Sequence, residues 1–291
     1  MFEARPVKCL LLFIFRFLVE LQFIVKLLIL FSMKSFSSHS PHSMTAALPL
    51  PTPPWTGIGK KLESSCRKAL FDFALIEKKC TIALALSGGK DSLTLLFLLK
   101  AILGRGFPDC PLVAIHVTGE FSCGAGVQIP FLQKMCAQLS VPLILRQSTQ
   151  KKETLACYRC SRERRTLIFE AAKEARAPLV AFGHHRDDSV QTLLLNLLHK
   201  GEFAANLPKI PMHDYGVTII RPLIYISEDA ITSFAKAYGF ARMTCQCPIG
   251  QKSKRQEVKQ LLRVIERSFP HAASNLALAA HHYGSNKALD K

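Results

Sequence analysis

The chain has 291 residues, ten cysteines and a formal net charge of +17 at neutral pH. This length suits one large domain, or one domain with appendages. The charge favours a polyanionic partner such as nucleic acid, although a solubilising basic surface or attraction to an anionic membrane would have the same sign. Closely spaced cysteine pairs in a long chain argue against a small secreted disulfide scaffold and favour metal or redox chemistry, so we expect a cytoplasmic protein.

An apolar segment occupies residues 8–31 and exceeds the roughly 20 residues that cross a bilayer. Arg16, Glu20 and Lys26 interrupt it at a cost near the bilayer centre, and no small-residue cleavage site follows. Three interpretations remain open: a membrane anchor, an amphipathic surface helix, or a stretch upstream of the true start. The last is favoured because the domain that follows is complete without this segment, so membrane contact through it is not our first expectation.

Composition divides the chain into four parts. Residues 1–34 contain the apolar segment, and residues 35–58 form a Ser/Pro-rich linker without periodicity. Residues 59–270 carry the repeated pattern of a folded domain, and residues 271–291 form a C-terminal tail.

Apolar spacing predicts alternating strands and helices across the main domain. Such alternation implies an α/β fold with a doubly wound parallel sheet covered on both faces, and helical additions at both ends. The predicted strands are residues 81–86, 111–117, 142–148 and 178–184, with a further short strand within 217–226. The predicted helices are residues 60–76, 91–103, 130–139, 162–175, 187–200, 228–239 and 253–269, followed by one more within the last twenty residues.

A glycine-containing turn joins the first predicted strand to the next helix. Helix N-termini expose unpaired N–H groups and bind phosphate, and glycines let the backbone approach a ligand closely. Hydroxyl groups can add hydrogen bonds, and a lysine can neutralise phosphate charge. The spacing is neither that of the Walker loop nor that of G-x-G-x-x-G. The predicted nucleotide-binding residues of this turn are Ser87, Gly88, Gly89, Lys90, Asp91 and Ser92.

Two cysteine pairs are candidate metal ligands: Cys157 with Cys160, and Cys245 with Cys247. A C-x-x-C pair can form a redox disulfide, half of a zinc site or part of an iron–sulfur site. A thioredoxin-type pair follows the first strand of a domain, which does not fit here, and C-x-C spacing is unusual for a zinc ribbon. The residues alone leave structural zinc and an iron–sulfur cluster as alternatives.

A second candidate nucleotide segment lies at the carboxyl end of the fourth predicted strand, where ligands bind in open α/β sheets. It contains Gly183, His184, His185, Asp187 and Asp188. The carboxylates either cap the following helix or help to hold Mg2+ against ATP phosphates. The histidines can orient the nucleotide or carry a proton.

Basic residues accompany both cysteine pairs. If all the cysteines meet at one site, these cations surround the same pocket, and their phosphate contacts position an RNA over it. Ordinary solvated helix faces are the alternative. The candidates are Arg159, Arg162, Arg164 and Arg165 beside the first pair, and Lys252, Lys254, Arg255, Lys259 and Arg263 after the second.

The order of these motifs resembles the tRNA 2-thiocytidine biosynthesis proteins of the PP-loop ATP pyrophosphatase superfamily. SGGKDS is followed by CYRCSRERR, AFGHHRDDSVQTLLLNLL, IIRPLIYISE and CQCPIGQKSKRQ, and the resemblance runs from residue 60 to residue 267. It implies an adenine nucleotide alpha hydrolase-like fold and an ATP-dependent enzyme that adenylates a tRNA base, cytidine 32, and replaces its oxygen with sulfur. It also implies ATP, Mg2+ and a [4Fe–4S] cluster as cofactors, tRNA and a sulfur donor such as a cysteine desulfurase system as partners, and a homodimer as a further expectation.

The resemblance also assigns the cluster ligands. In that family a C-x-x-C pair and one later cysteine hold the cluster, which leaves one iron open for the sulfur to be transferred. Carried over, Cys157 and Cys160 are ligands, and the third is Cys245 or Cys247. The family usually has two residues between the later cysteines, and this chain has one, so the choice stays open.

One position departs from the family pattern. An acidic residue commonly follows the second strand in a Leu-Asp pair, whereas this chain has Val117-Thr118, with Glu120 nearby. Either Glu120 substitutes, or nucleotide or metal handling differs.

Related functions remain alternatives: uridine thiolation, lysidine formation, or non-catalytic RNA binding on a PP-loop scaffold. Uridine-thiolating relatives usually carry extra zinc-ribbon cysteines, which this chain lacks after Met44, and lysidine synthetases lack the cluster cysteines. We infer no side-chain nucleophile, so the protein would act mainly by positioning and charge neutralisation.

Overall fold

Strands and helices alternate along the chain in the structure, a computed structural model that describes residues 50–119, 129–150, 157–240 and 254–284. The strands are β1 (Ile82–Ala85), β2 (Leu112–Thr118), β3 (Leu143–Gln147), β4 (Leu179–Ala181), β5 (Lys209–Met212) and β6 (Val217–Ile220). The helices are α1 (Ile58–Asp72), α2 (Lys90–Ile102), α3 (Ile129–Gln138), α4 (Cys157–Glu174), α5 (Arg186–Lys200), α6 (Glu228–Ala237), α7 (Lys254–Ser268) and α8 (Ala272–Tyr283).

The strands form one sheet in the order β3-β2-β1-β4-β6-β5. Neighbouring strands are parallel, except that β5 and β6 are antiparallel. The predicted parallel α/β sheet is therefore confirmed. The sequence pattern did not predict β5, a four-residue strand that contains Pro211. Proline removes a ladder donor and is tolerated at a sheet edge, which is where β5 lies.

Alternate residues of each central strand feed two separate cores. Ile82 and Leu84 of β1 join the core formed with α1, α2, α3 and α6, whereas Ala83 and Ala85 join the core formed with α4. This two-residue alternation places helices on both faces of the sheet. In α2, ten of the 13 residues are buried, because this helix lies between the sheet and neighbouring helices.

A third apolar cluster joins α5, α7 and α8. Val190 and Leu194 of α5 pack with Val258 and Leu262 of α7, and α8 adds small alanine side chains. This packing holds α7 against the helix that begins at the carboxyl end of β4.

The ends of the predicted domain contribute to the packing. Trp55, within the segment predicted as a linker, is buried against Phe234 and Tyr238 at ring-centroid distances of 5.5 and 5.8 Å. At the other end, α8 packs on α5 and α7. The four-part division stays a prediction. Within residues 50–119, 129–150, 157–240 and 254–284, no helix is both long and apolar enough to cross a membrane; residues 8–31 lie outside these ranges.

Candidate active site

The two predicted nucleotide segments meet at the carboxyl edge of the sheet. β1 leads through the glycine turn into α2, and its parallel neighbour β4 leads into α5. β1 also pairs with β2 on its other side, so the chain leaves β1 and β4 in opposite directions along the sheet. A reversal of this kind forms the crevice in which open α/β sheets bind ligands.

Hydroxyl groups organise the glycine turn from within. Gly88 adopts a left-handed φ of 82°, which favours glycine. Ser87 Oγ lies 3.1 Å from Ser92 Oγ and accepts from the Gly89 amide at 3.3 Å, and Ser92 Oγ donates to the Gly89 carbonyl at 3.0 Å. Gly89 is the N-cap of α2 and supplies no side-chain acceptor to the first-turn amides. The N-terminus of α2 therefore suits a phosphate group.

Gly183 brings the segment after β4 directly against this turn. A Cβ at position 183 would lie 3.0 Å from the carbonyl carbon of Asp91 and 3.0 Å from the amide nitrogen of Ser92. Both are backbone atoms of the first turn of α2. Any larger residue at position 183 would require the first turn of α2 to move.

Lys90 carries the positive charge of the site. Its Nζ lies 2.9 Å from Asp91 Oδ1 and 3.4 Å from Glu228 Oε1. Burial lowers the pKa of Lys90, but the two carboxylates outweigh burial and raise its pKa above the ordinary value. Lys90 is thus a firmly protonated cation beside the α2 N-terminus. Glu228 lies in the IYISE string but was not predicted as a site residue.

His185 and Asp188 cap the start of α5 together. The His185 amide donates to Asp188 Oδ2 at 3.2 Å, and the Asp188 amide donates to His185 Nδ1 at 3.3 Å. Because Nδ1 accepts this hydrogen bond, Nε2 is the ring nitrogen left to interact with other groups of the crevice. His185 Nε2 is 3.4 Å from Asp188 Oδ2 and 3.9 Å from Asp91 Oδ1. Two carboxylates of the crevice therefore lie near the same nitrogen of the buried imidazole.

Asp188 is ionised at neutral pH. Burial raises its pKa, but His185, His184 and Arg255 outweigh burial and hold the pKa below the ordinary value. Asp187 is engaged by two donors: Arg186 Nε at 2.9 Å, and the Glu228 amide, the first of α6, at 2.7 Å.

The carboxylates of the crevice fit Mg2+ in type, since this ion is commonly held by one or two carboxylates plus phosphate oxygens and water. In the part of the chain that the structure describes, no three His, Cys, Asp or Glu side chains are grouped so that protein alone could hold a metal. Asp188 and Asp91, whose carboxylates both lie near His185 Nε2, are the carboxylates best placed to hold the ion beside phosphates.

His184 points to a different environment from His185. Its ring stacks on Phe182 at a centroid distance of 5.5 Å, and its Nδ1 accepts from Arg221 Nε at 3.3 Å. Burial and the Arg221 charge lower the pKa of His184 to about 3, so this ring is neutral at physiological pH. Arg221, itself buried, also donates to the Leu207 carbonyl. The sequence reasoning missed Arg221, whose only signal was its place in the IIRPLIY string.

Acidification is expected to destabilise the fold through His184. Its pKa of about 3 lies below the unfolded value. The unfolded state therefore binds the proton first, and stability falls as the pH drops below about 6.5. The slope for one proton approaches about 1.4 kcal/mol per pH unit. Thermal unfolding between about pH 7 and pH 5 measures it.

His184→Asn is the matched control, because the amide oxygen keeps an acceptor for Arg221 but does not titrate. His116 and His281, whose pKa values burial also lowers, contribute equally to both proteins. We expect a shallower pH dependence for the variant, and equal slopes would contradict the assignment.

The first cysteine pair lies on the first turn of α4. The helix begins at Cys157, five residues before the predicted start at residue 162, and positions three residues apart lie on one side of a helix. Cys160 is buried, with 7% exposure. Thiolates are the usual ligands of iron–sulfur clusters, so the donor type fits. Cys245 and Cys247 lie outside the described residues, and the three-cysteine ligand set stays a prediction.

Glu163 ties this cysteine-bearing helix to the end of β3. Its carboxylate accepts from Ser148 Oγ at 2.9 Å and from the amide and hydroxyl of Thr149 at 2.8 and 2.9 Å. Burial raises the pKa of Glu163, but these hydrogen bonds outweigh it and lower the pKa. The sequence reasoning missed Glu163, which stands within a basic run and offered no local signal.

The predicted RNA-contacting residues divide by exposure. Three of them are paired with carboxylates: Arg255 with Asp188, Lys259 with Glu228, and Lys254 with Glu257. Arg159, Arg162, Arg165 and Lys254 are exposed, and Arg164 is half-buried.

Thr118, the departure from the family pattern, is the last residue of β2, and its carbonyl accepts from the Ser148 amide at 2.8 Å. Glu120 and Lys252 lie outside the described residues.

Known proteins share long stretches of sequence with this chain. A PP-loop domain family model matches residues 59–263, so the chain is a PP-loop protein. It is 31% identical over 242 residues to a tRNA-cytidine(32) 2-sulfurtransferase of Pelobacter propionicus, covering 80% of this chain and 89% of the relative. A Cupriavidus necator protein of the same name is 34% identical over 228 residues, covering 74% and 71%. The chain belongs to the tRNA-cytidine(32) 2-sulfurtransferase family, as predicted.

A solved structure has the same fold. The U34-tRNA thiolase NcsA from Methanococcus maripaludis, solved with its [4Fe–4S] cluster, matches with a TM-score of 0.62 at 24% identity. The match covers 76% of this chain and 77% of that chain. At this identity the likeness establishes a shared fold.

Proposed function

We propose that this protein is an ATP-dependent tRNA sulfurtransferase that adenylates cytidine 32 and replaces its oxygen with sulfur. The observation that carries the proposal is the uncapped α2 N-terminus beside Lys90 and Gly183, at the switch point of the sheet. Membership of the tRNA-cytidine(32) 2-sulfurtransferase family supports the choice of substrate.

The first chemical step is adenylation of the base. The carbonyl oxygen of cytidine attacks the α-phosphorus of ATP, the bond to the β-phosphate oxygen breaks, and pyrophosphate leaves. Lys90 and the first-turn amides of α2 stabilise the negative charge on the phosphates. Asp91 and Asp188 would hold Mg2+ against the same phosphates, beside the His185 ring.

The second step replaces oxygen with sulfur. Sulfur at the sulfide oxidation level (HS−) attacks the activated ring carbon, the carbon–oxygen bond breaks, AMP leaves with that oxygen, and the proton of HS− passes to solvent. Cys157 and Cys160, with Cys245 or Cys247, would hold the [4Fe–4S] cluster, which when bound supplies an iron site for the sulfur. Burial of Cys160, and the hydrogen bonds that Glu163 accepts from Ser148 and Thr149, favour a fixed position for α4.

The tRNA would approach over the basic face of α4 and the start of α7. Phosphate contacts from Arg159, Arg162 and Arg165 would orient it, and the target base leaves its stack at low cost in a loop. We place the enzyme in the cytoplasm with a cysteine desulfurase system as sulfur donor. A homodimer stays an expectation.

Nucleoside mass spectrometry of tRNA from a deletion strain tests this function. We expect 2-thiocytidine to disappear and to return with the gene, and the purified protein to release AMP and pyrophosphate only with tRNA. Loss of a thiolated uridine or of lysidine would overturn the substrate. Unchanged nucleosides and no AMP release would overturn catalysis and favour a non-catalytic RNA-binding role.

A further inference from the structure

Helix α7 brings two cations to the carboxylates of the nucleotide crevice. Arg255 Nη1 lies 3.3 Å from Asp188 Oδ1, and its Nη2 donates to Thr192 Oγ1 at 3.1 Å. Lys259 Nζ lies 2.6 Å from Glu228 Oε2, and the other oxygen of Glu228 faces Lys90 Nζ at 3.4 Å. Lys259 and Lys90 therefore share one carboxylate, although sequence reasoning grouped Arg255 and Lys259 with the RNA-contacting residues.

Apolar packing, independent of these ion pairs, holds α7 in place. Val258 and Leu262 of α7 are buried against Val190 and Leu194 of α5. Arg255 and Lys259 are four residues apart, so both project from one face of α7. Their charges are therefore available to a ligand without loss of the packing that positions the helix.

The ion pairs of the crevice join four carboxylates to four cations before the nucleotide binds. Mg·ATP adds about two net negative charges, because a triphosphate of about −4 binds one Mg2+. Mg2+ prefers carboxylate oxygens, and a guanidinium group bonds phosphate as readily as carboxylate. An exchange of partners would pair the cations with phosphate and the carboxylates with Mg2+, and the loaded site would carry about two net negative charges. The carboxylates are Asp91, Asp187, Asp188 and Glu228, and the cations are Lys90, Arg186, Arg255 and Lys259.

We propose that Arg255 and Lys259 bind the phosphates of Mg·ATP, so that α7 completes the nucleotide site. Asp188 would help to hold Mg2+ when the ion is bound, and Arg255, which pairs with Asp188 in the free protein, would then bond a phosphate oxygen. Lys259 stays beside Glu228 and adds a second cation next to Lys90. This inference rests on the proposed use of ATP and adds residues that no motif at the glycine turn contains.

Calorimetric binding of Mg·ATP without tRNA tests the inference. Arg255→Gln and Lys259→Gln are each expected to weaken Mg·ATP binding by about tenfold or more, the effect of losing one charge-assisted hydrogen bond. Arg267→Gln is the matched control, because it removes one exposed positive charge from the last turn of the same helix. We expect its affinity to stay within about twofold of the native value.

Parallel measurements separate the outcomes. Lys254→Gln, from a residue predicted to contact RNA, is compared with Arg255→Gln for tRNA binding without ATP. If the native protein does not bind Mg·ATP, the proposed function fails. If the native protein binds Mg·ATP, but Arg255→Gln and Lys259→Gln have the same Mg·ATP affinity as Arg267→Gln and lose only tRNA affinity, the inference alone fails. Arg255→Lys keeps the charge but loses the planar guanidinium group, so it should bind Mg·ATP with intermediate affinity. This variant keeps the test valid if Arg255→Gln misfolds.

Discussion

Gly183→Ala is expected to lower the affinity for Mg·ATP about 100-fold while the sheet stays folded. The added Cβ would lie 3.0 Å from two backbone atoms, in Asp91 and Ser92, and these atoms cannot rotate away as a side-chain tip can. Relief requires the first turn of α2 to shift, and this turn carries Lys90 and the phosphate-binding amides. Overpacking penalties reach about 3 kcal/mol, which corresponds to about a 100-fold loss of affinity.

Gly201→Ala provides the control for a glycine substitution that strains the backbone elsewhere. Gly201 ends α5 at a φ of 66°, and nothing lies within 4 Å of its added Cβ. Alanine there costs about 1 kcal/mol of conformational strain and should lower the unfolding temperature without changing Mg·ATP affinity. Calorimetry and thermal unfolding of both variants make the comparison. Native affinity in Gly183→Ala, or an equal loss in Gly201→Ala, would contradict the close-packing account.

The sequence predicted the architecture because most strands and helices carry continuous apolar runs or helical spacing. It misplaced elements where that signal is weak. The start of α4 was missed because Cys157–Arg162 has no apolar periodicity, and hydrogen bonds from Ser148 and Thr149 to Glu163 fix this end instead. β5 is short and contains a proline, so its pairing with β6 depends on tertiary contact more than on local preference.

The candidate site was predictable where it is local and not where it is long-range. The glycine turn and the segment from Gly183 to Asp188 each have a compact motif, and both lie at the predicted sheet edge. The ion pairs that join these two segments to the rest of the chain have no such motif. Arg255 and Asp188 are 67 residues apart, and Lys90 and Glu228 are 138 apart. A single sequence gives no measure of which distant charges will meet.

Serine in place of Cys157 or Cys160 is expected to remove the iron–sulfur cluster and thiolation while Mg·ATP binding persists. A serine hydroxyl lacks the thiolate that iron–sulfur clusters need. The nucleotide crevice is built from the ends of β1 and β4, whereas both cysteines belong to the first turn of α4. Anaerobic purification with an absorption spectrum, and with iron, sulfide and zinc counts, measures the cluster, and calorimetry measures the nucleotide.

Cys136→Ser is the matched control for this substitution. Burial within α3 raises the pKa of the Cys136 thiol to about 11, so this sulfur is protonated and is a poor metal ligand. Its serine variant should keep native iron. Native iron in the Cys157 and Cys160 variants, or a colourless native protein that holds only zinc, would remove the cluster from the mechanism. Because Mg·ATP affinity is measured on the same samples, either result would leave the nucleotide site to be judged on its own binding data.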